Sequence, residues 1–112
     1  MTSDQKAGSI VFDEIDRGVG GATADAVGRR LLKLAESHAQ VLAVTHSPQV
    51  AALADTHFMV SKETNSESAL SHVNEISSKN RVEEIARMIS GDRVTDEARE
   101  ASRVLIAGAR RA

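Results

Sequence analysis

Two adjacent carboxylates stand directly after a short apolar run, where the chain is predicted to leave a buried strand. The run covers residues 9–12, and the acids are Asp13 and Glu14. Because side chains alternate along a strand, adjacent residues point in different directions. One carboxylate can therefore hold Mg²⁺, which prefers oxygen ligands, while its neighbour polarises or deprotonates an attacking water. The pattern alone is not specific, because acids after a strand also serve as helix caps and surface charges.

A histidine follows the next apolar run along the chain. That run covers residues 40–44, and Thr45 and His46 come after it. A neutral imidazole donates one N–H to a phosphate oxygen and accepts a hydrogen bond at its other nitrogen. Taken alone, His46 would more simply cap the short helix predicted to begin near Ser47. Two acids and a histidine on successive strand ends instead favour a catalytic site.

The elements that must position these residues follow from periodicity and capping. Val27, Leu31 and Leu34 recur at helical spacing between the two runs, and the order strand–helix–strand predicts a parallel pair. Ser47 followed by Pro48 predicts a helix start. The predicted strands cover residues 9–12, 40–44, 58–62 and 69–76, the last as an antiparallel edge. The predicted helices cover residues 23–37, 48–55, 79–90 and 95–109.

The two C-terminal helices are predicted to bury one face each. Ser78 is the predicted cap of the first of them, and Gly91 its stop. The residues expected on the buried faces are Val82, Ile85, Ala86 and Ile89 in the first helix and Ala98, Val104 and Leu105 in the second. The fold class is therefore α/β, with a short, mainly parallel sheet flanked by helices. We expect one unit over residues 9–112 whose first sheet edge is cut off, and a disordered or fragment-start segment over residues 1–8.

Composition restricts the function classes. The 112 residues carry a formal net charge of −2 and no cysteine, which argues against non-specific nucleic-acid binding by a basic patch and against disulfides or cysteine metal sites. No apolar run reaches the roughly 20 residues that a membrane span requires. We expect a cytoplasmic protein with no membrane partner. The other histidines, His38, His57 and His72, lack metal-ligand spacing and are expected to be solvated or to cap helices.

The sequence around the acids and the histidine resembles the RecN family of SMC-like ATPases. A hydrophobic strand ending in Asp-Glu is the Walker B pattern of ABC-type ATPases, and residues 12–24 resemble the Walker B and D-loop stretch of RecN. Residues 44–55, with the core His-Ser-Pro-Gln-Val-Ala-Ala, and residues 82–91 are also similar to that family. The resemblance implies the C-terminal lobe of an ABC/SMC-type ATPase head, in a protein that acts in recombinational repair of DNA double-strand breaks.

The resemblance also implies roles for individual residues. Asp13 would be the Mg²⁺ carboxylate, Glu14 the catalytic glutamate and His46 the switch histidine of the H-loop, which contacts the γ-phosphate of ATP. The implied cofactors are thus ATP and Mg²⁺.

The D-loop departs from the pattern of many SMC and ABC relatives. Those relatives carry an aspartate six residues after the catalytic glutamate, where this sequence has Gly20. We assign Asp16, Gly20 and Gly21 to the nucleotide-binding region without giving Asp16 the role of the missing aspartate. The glycines either let backbone amides approach a partner head or form a flexible turn before a helix.

Two motifs of a complete ATPase are missing from the sequence. It contains no Gly-x-x-x-x-Gly-Lys-Ser/Thr phosphate-binding loop and no Leu-Ser-Gly-Gly signature loop. We therefore expect the N-terminal head segment of the same protein to supply the P-loop. A second copy of the head would form a homodimer, and DNA would be bound through the full-length, nucleoid-associated protein. The isolated chain is expected to be inactive.

Two other function classes stay open. A stand-alone Mg²⁺-dependent phosphodiesterase would gather Asp13, Glu14 and Asp16 around the metal and would need a further glutamate on the same sheet, for which Glu63 is the candidate. A non-catalytic interaction module would instead dock through the unpaired edge and the apolar surface that a cut α/β sheet exposes.

Overall fold

The computed structural model describes residues 8–14, 17–37, 40–64 and 69–109 of the chain. Its elements follow the order β1–α1–β2–α2–β3–β4–α3–α4, which confirms the α/β class. The strands are β1 (Ser9–Asp13), β2 (Gln40–Val44), β3 (Phe58–Thr64) and β4 (Ala69–Glu75), and the helices are α1 (Gly21–Ser37), α2 (Pro48–Ala52), α3 (Ser78–Ser90) and α4 (Asp96–Ala109). The segment predicted to be disordered lies, except for Gly8, outside the described residues.

Strands β1 and β2 form the predicted parallel pair. Their register runs from Ser9 opposite Gln40 to Asp13 opposite Val44, so both carboxyl ends lie at one edge of the sheet. The inner face contributes Phe12, which packs with Val41 against the helices. The outer face carries apolar side chains that no described residue covers.

Strands β3 and β4 do not join this sheet but pair with each other as an antiparallel hairpin. Their register runs from Phe58 opposite Glu75 to Thr64 opposite Ala69, and the described residues form two separate two-stranded sheets rather than one mainly parallel sheet. Burial agrees with this separation. Every residue of β4 is exposed, so the hairpin lacks the buried apolar faces of strands within a parallel sheet.

Serine hydroxyls cap α2 and α3. Ser47 is the predicted cap of α2, and its Oγ accepts the backbone N–H of Val50 at 3.3 Å. For α3 the prediction is wrong by one residue, because Ser77 rather than Ser78 accepts the N–H of Asn80, also at 3.3 Å. Both serines could cap, and the extended backbone of the first one decides between them. Helix α2 ends at Ala52 rather than near residue 55.

The core consists of two small clusters that meet at α2. One lies between α1, α2 and the inner face of the β1–β2 sheet, and its buried members are Ala24, Leu31 and Val50. The other lies between α2, α3 and α4, and its buried members are Ala51, Ala52 and Ile85. Helix α2 contributes to both clusters, so this five-residue helix joins the two halves of the molecule.

Helices α3 and α4 pack through a mixed apolar and polar contact. Ile85 and Ala86 are fully buried, as predicted, and so is Ser102, which the apolar pattern misses. The Ser102 hydroxyl donates a hydrogen bond to the carbonyl oxygen of Val82 at 2.9 Å, so its burial leaves no hydroxyl unsatisfied. Val104, predicted on the buried stripe, is instead 61% exposed.

A cation from α3 holds the C-terminal end of α2. Nη2 of Arg81 donates to the carbonyl oxygens of Ala51 at 2.8 Å, Ala52 at 3.1 Å and Ala54 at 2.6 Å. Carbonyls at the end of a helix have no partner within the helix and favour a nearby positive charge. Arg81 therefore fastens α2 to α3.

A glycine brings α1 and α2 into close contact. A Cβ atom on Gly28 would lie 2.6 Å from Cδ1 of Leu53 and 3.3 Å from Cα of Val50. A side chain at this position would therefore clash with Leu53 and press against the backbone of α2. Within the described ranges, no helix is long and apolar enough to cross a membrane.

Candidate functional site

The chain turns sharply where it leaves β1. The N–H of Glu14 donates to the carbonyl oxygen of Val44 at 2.8 Å, which extends the β1–β2 ladder by one bond beyond Asp13. Glu14 then adopts a φ of 53°, a left-handed conformation that is uncommon for any residue but glycine. Such a conformation costs about 1–3 kcal/mol, and surrounding structure must hold it in place. The ladder bond to β2 is one such constraint.

The turn places the Glu14 carboxylate beside the imidazole of His46. Oε1 of Glu14 and Nε2 of His46 are 3.4 Å apart, and the two side chains are 34% and 89% exposed. Asp13 is exposed at the end of β1, at the same sheet edge. The structure therefore brings Glu14 and His46 into contact, whereas Asp13 shares the sheet edge but lies on the exposed face of β1 with Val11. The mostly exposed imidazole can contact a further group from solvent.

Short-range hydrogen bonds shape the loop that carries His46. Oγ1 of Thr45 accepts the backbone N–H of Ser47 at 2.9 Å. The hydroxyl of Ser47 both caps α2 and donates to Oε1 of Gln49 at 3.0 Å. His46 therefore lies between two residues whose side chains fix the backbone around it.

An open cleft of about 280 Å³ lies between the Glu14 turn and the His46 loop. Its lining residues come from both segments and from the start of α1, and they are Glu14, Arg17, Gly18, Val19, Ala24, His46, Ser47, Pro48 and Gln49. The cleft is slightly smaller than typical small-molecule pockets of about 300–1,000 Å³. It combines an acid, a guanidinium, an imidazole and a carboxamide, which are groups that can bind a polar or anionic ligand.

The D-loop glycines lead directly into α1, with Gly20 before the helix and Gly21 as its first residue. The carbonyl of Gly20 accepts the N–H of Ala24 at 2.8 Å, so α1 begins at Gly21, two residues before the predicted start at residue 23. A Cβ on Gly21 would lie 3.2 Å from Nε2 of Gln49. Asp16 lies outside the described residues, and the nucleotide-binding assignment of all three stays a prediction.

Comparison with known proteins identifies several DNA repair proteins that are similar to this chain. No protein-family model matches the chain. The chain is 50% identical to DNA repair protein RecN of Mycobacterium tuberculosis over 103 residues, 47% identical to RecN of Deinococcus radiodurans over 100 residues and 44% identical to RecN of Bacillus subtilis over 96 residues. These alignments cover 86–91% of this chain. The chain is homologous to a segment of RecN.

The matched part is small relative to the whole relatives. The chain spans 16–17% of the length of these RecN proteins, which agrees with the C-terminal segment that the sequence predicted. Residue by residue, the resemblance named Glu14, His46 and Asp13 before any geometry was known. It gave no role to Gln49 or Arg17, which also line the cleft. Gln49 belongs to the His-Ser-Pro-Gln-Val-Ala-Ala core that resembles RecN, and this place just after His46 is the sequence signal that could have indicated it.

The oxygen donors of the RecN-like site fit part of a magnesium shell. Asp13 is an exposed carboxylate, and Mg²⁺ usually binds proteins through one or two carboxylates while water and phosphate oxygens fill the other positions. Among the described residues no group of three or more His, Cys, Asp or Glu side chains could hold a metal ion by itself. The donors present therefore suit a metal that is shared with a phosphate ligand.

Glu63 does not complete a second kind of metal site. It lies on β3, which pairs with β4 in the other sheet, and its Oε2 is 3.3 Å from Nε2 of His72. The phosphodiesterase alternative required this glutamate on the same sheet as Asp13. The arrangement of the described residues therefore does not favour that alternative.

Proposed function

We propose that this chain supplies the hydrolytic edge of a RecN-type ATPase head that acts in DNA repair. The observation that carries the proposal is the contact between Glu14 and His46, 3.4 Å apart, at the carboxyl ends of two paired parallel strands. An acid and an imidazole placed together at a sheet edge suit proton transfer and phosphate contact. The homology to RecN supports a role in DNA repair. The resemblance of residues 12–24 and 44–55 to that family implies the rest of the proposal, which is ATP as the substrate and recombinational repair of double-strand breaks as the setting.

Each residue has a defined task in this proposal. The Glu14 carboxylate orients the attacking water and accepts its proton, and His46 donates an N–H to a phosphoryl oxygen. Asp13 holds Mg²⁺ directly or through a water. When bound, the metal neutralises charge that develops on the phosphates.

The proposal requires other segments, because this sequence contains no phosphate-binding loop. The N-terminal head segment would supply that loop, a second head would supply the signature loop, and DNA would be bound through the full-length protein. The outer face of the β1–β2 sheet supports a covering segment, since Val11, Leu42 and Val44 are all exposed there. Strand β1 also pairs only with β2 among the described residues, so its other edge is available to a further strand.

The test compares two glutamates in a head assembled from this chain and the P-loop-bearing segment of RecN. Glu14→Gln removes the base and should lower the ATP hydrolysis rate by about 10²-fold or more. Glu63→Gln is a matched control, because Glu63 also lies beside a histidine, at 3.3 Å, but on the other sheet. The control should hydrolyse ATP at the wild-type rate.

Equal rates for Glu14→Gln and wild type would show that Glu14 is not the catalytic acid. The isolated chain provides a second check, since it should bind Mg²⁺-ATP only weakly. The expected result is a millimolar dissociation constant, with changes in backbone amide resonances confined to Asp13, Glu14 and His46. Tight, saturable binding by the chain alone would contradict the need for a P-loop partner.

A further inference from the structure

We infer that Gln49 is a nucleotide-binding residue of this site, whose carboxamide N–H groups bind an oxygen of the γ-phosphoryl group beside His46. The inference rests on the proposed function and extends it to a residue with no role so far. Gln49 and His46 line the same cleft. Three features of the Gln49 carboxamide support this role: its orientation, the space around it and the chemistry that it adds to the cleft.

The Ser47 hydroxyl sets the orientation of the carboxamide. It donates to Oε1 of Gln49 at 3.0 Å while accepting the N–H of Val50 at 3.3 Å. With the oxygen of the amide occupied by this bond, the two donors on Nε2 point away from Ser47. No described residue accepts a hydrogen bond from Nε2. The carboxamide is therefore oriented by the protein, but its donors remain available to a ligand.

Gly21 provides the space in which this amide lies. A Cβ at position 21 would be 3.2 Å from Nε2 and 3.7 Å from Cδ of Gln49. The shorter distance is tighter than an ordinary van der Waals contact, so a side chain there would displace the amide. Gln49 is thus confined between Ser47 on one side and the first turn of α1 on the other.

The chemistry of the cleft indicates what the donors bind. The Glu14 carboxylate must stay available to the attacking water. A further cationic side chain beside Glu14 would form an ion pair with that carboxylate. A carboxamide adds two N–H donors without adding charge. It can therefore hold an anionic oxygen next to His46 without neutralising Glu14. The ligand class is a phosphoryl group, in agreement with the nucleotide of the proposed function.

The first experiment measures ATP hydrolysis by the assembled head with Gln49→Met, which keeps the length of the side chain and removes both donors. A hydrogen bond to a charged group contributes enough to change kcat/KM by about 10- to 100-fold. We expect a loss of kcat/KM in that range. Separate values of kcat and KM show whether the contact is made in the ground state or only in the transition state. Gln40→Met is the matched control, since Gln40 is exposed at the start of β2, and its rate should equal that of wild type.

The second experiment needs no variant to fold, because it follows the side-chain NH₂ resonances of Gln49 in the wild-type head. They should shift on addition of Mg²⁺ with a non-hydrolysable ATP analogue and stay unchanged with Mg²⁺-ADP. A purely structural Gln49 would show no such difference. Unchanged resonances with the analogue, or a Gln49→Met rate within twofold of wild type, would overturn the inference.

Measuring Glu14→Gln in parallel distinguishes a failure of the inference about Gln49 from a failure of the proposed function. If Glu14→Gln abolishes hydrolysis and Gln49→Met does not reduce it, the inference about Gln49 is wrong and the proposed function stands. If Glu14→Gln keeps the full rate, the proposed function itself fails. A Gly21→Ala variant, which crowds Nε2, should reproduce part of the Gln49→Met loss.

Discussion

The helical side of the molecule and its sheets differ in how completely they bury apolar side chains. Between α2, α3 and α4, Ile85 and Ala86 are fully buried, whereas Val11 on β1 and Val73 on β4 are each 62% exposed. The helices therefore form a packed core with the residues of this chain alone. The β1–β2 sheet carries the candidate chemistry and leaves its outer face to solvent, and every residue of β4 is exposed. Stability and function are thus assigned to different parts of the fold, and four predictions examine that division.

The largest effect should come from the helical core. Ile85→Ala removes a fully buried side chain and leaves a cavity, which should lower the free energy of unfolding by about 2–5 kcal/mol. Urea denaturation followed by far-UV circular dichroism measures the change. An unaltered midpoint would show that the contact between α2, α3 and α4 is not the main source of stability.

Breaking the link between α2 and α3 should have the next largest effect. Arg81→Met keeps the aliphatic stem but removes the hydrogen bonds to the carbonyls of Ala51, Ala52 and Ala54. Hydrogen bonds that involve a charged group contribute about 1.5–3 kcal/mol, so a loss of that order is expected. Hydrogen exchange should quicken in α2 more than in α4. Uniform exchange changes across the helices would contradict a local role for Arg81.

A third, smaller effect should depend on pH through His57. Burial lowers the pKa of His57 below its ordinary value of 6.5, and the charge of Arg81 lowers it further, while Glu84 acts in the opposite direction. Because the unfolded chain binds the proton more readily, stability is complete above pH 6.5 and decreases as the pH falls through the lower, folded-state pKa. Thermal unfolding between pH 5 and 7.5 should show this slope, and His57→Gln should flatten it.

The smallest effect should come from the exposed sheet face. Val73→Thr changes a side chain that is 62% exposed, and surface substitutions usually alter stability by no more than about 0.5 kcal/mol. It should instead reduce self-association at high concentration, which sedimentation velocity can measure. If Val73→Thr destabilised the chain as strongly as Ile85→Ala, the contrast between helices and sheets would not hold.

The sequence predicted the parallel β1–β2 pair, and with it the meeting of Glu14 and His46 at one sheet edge. It also predicted the antiparallel pairing of the fourth strand. The separation of the β3–β4 hairpin from the first sheet was not predicted, since strand periodicity identifies a strand but not its partner. Ser102 was missed for a related reason. Its burial depends on the carbonyl of Val82, which belongs to another helix.

Two features of the site were also beyond sequence reasoning. The left-handed backbone of Glu14 is unusual for a glutamate, because residues other than glycine usually adopt a negative φ. The place of Gln49 in the cleft depends on the space left by Gly21, which is 28 positions away in the chain. Both depend on contacts that exist only once the chain has folded.

The close approach at Gly28 also has a mechanical consequence. Because Cα of Val50 and Cδ1 of Leu53 lie close to Gly28, a side chain at position 28 would push α2 and the residue after it away from α1. The loop that leads into α1 contains Gly20, and the loop that leads into α2 contains His46. The spacing of these two loops, which flank the cleft, therefore depends on a residue that lies in neither of them.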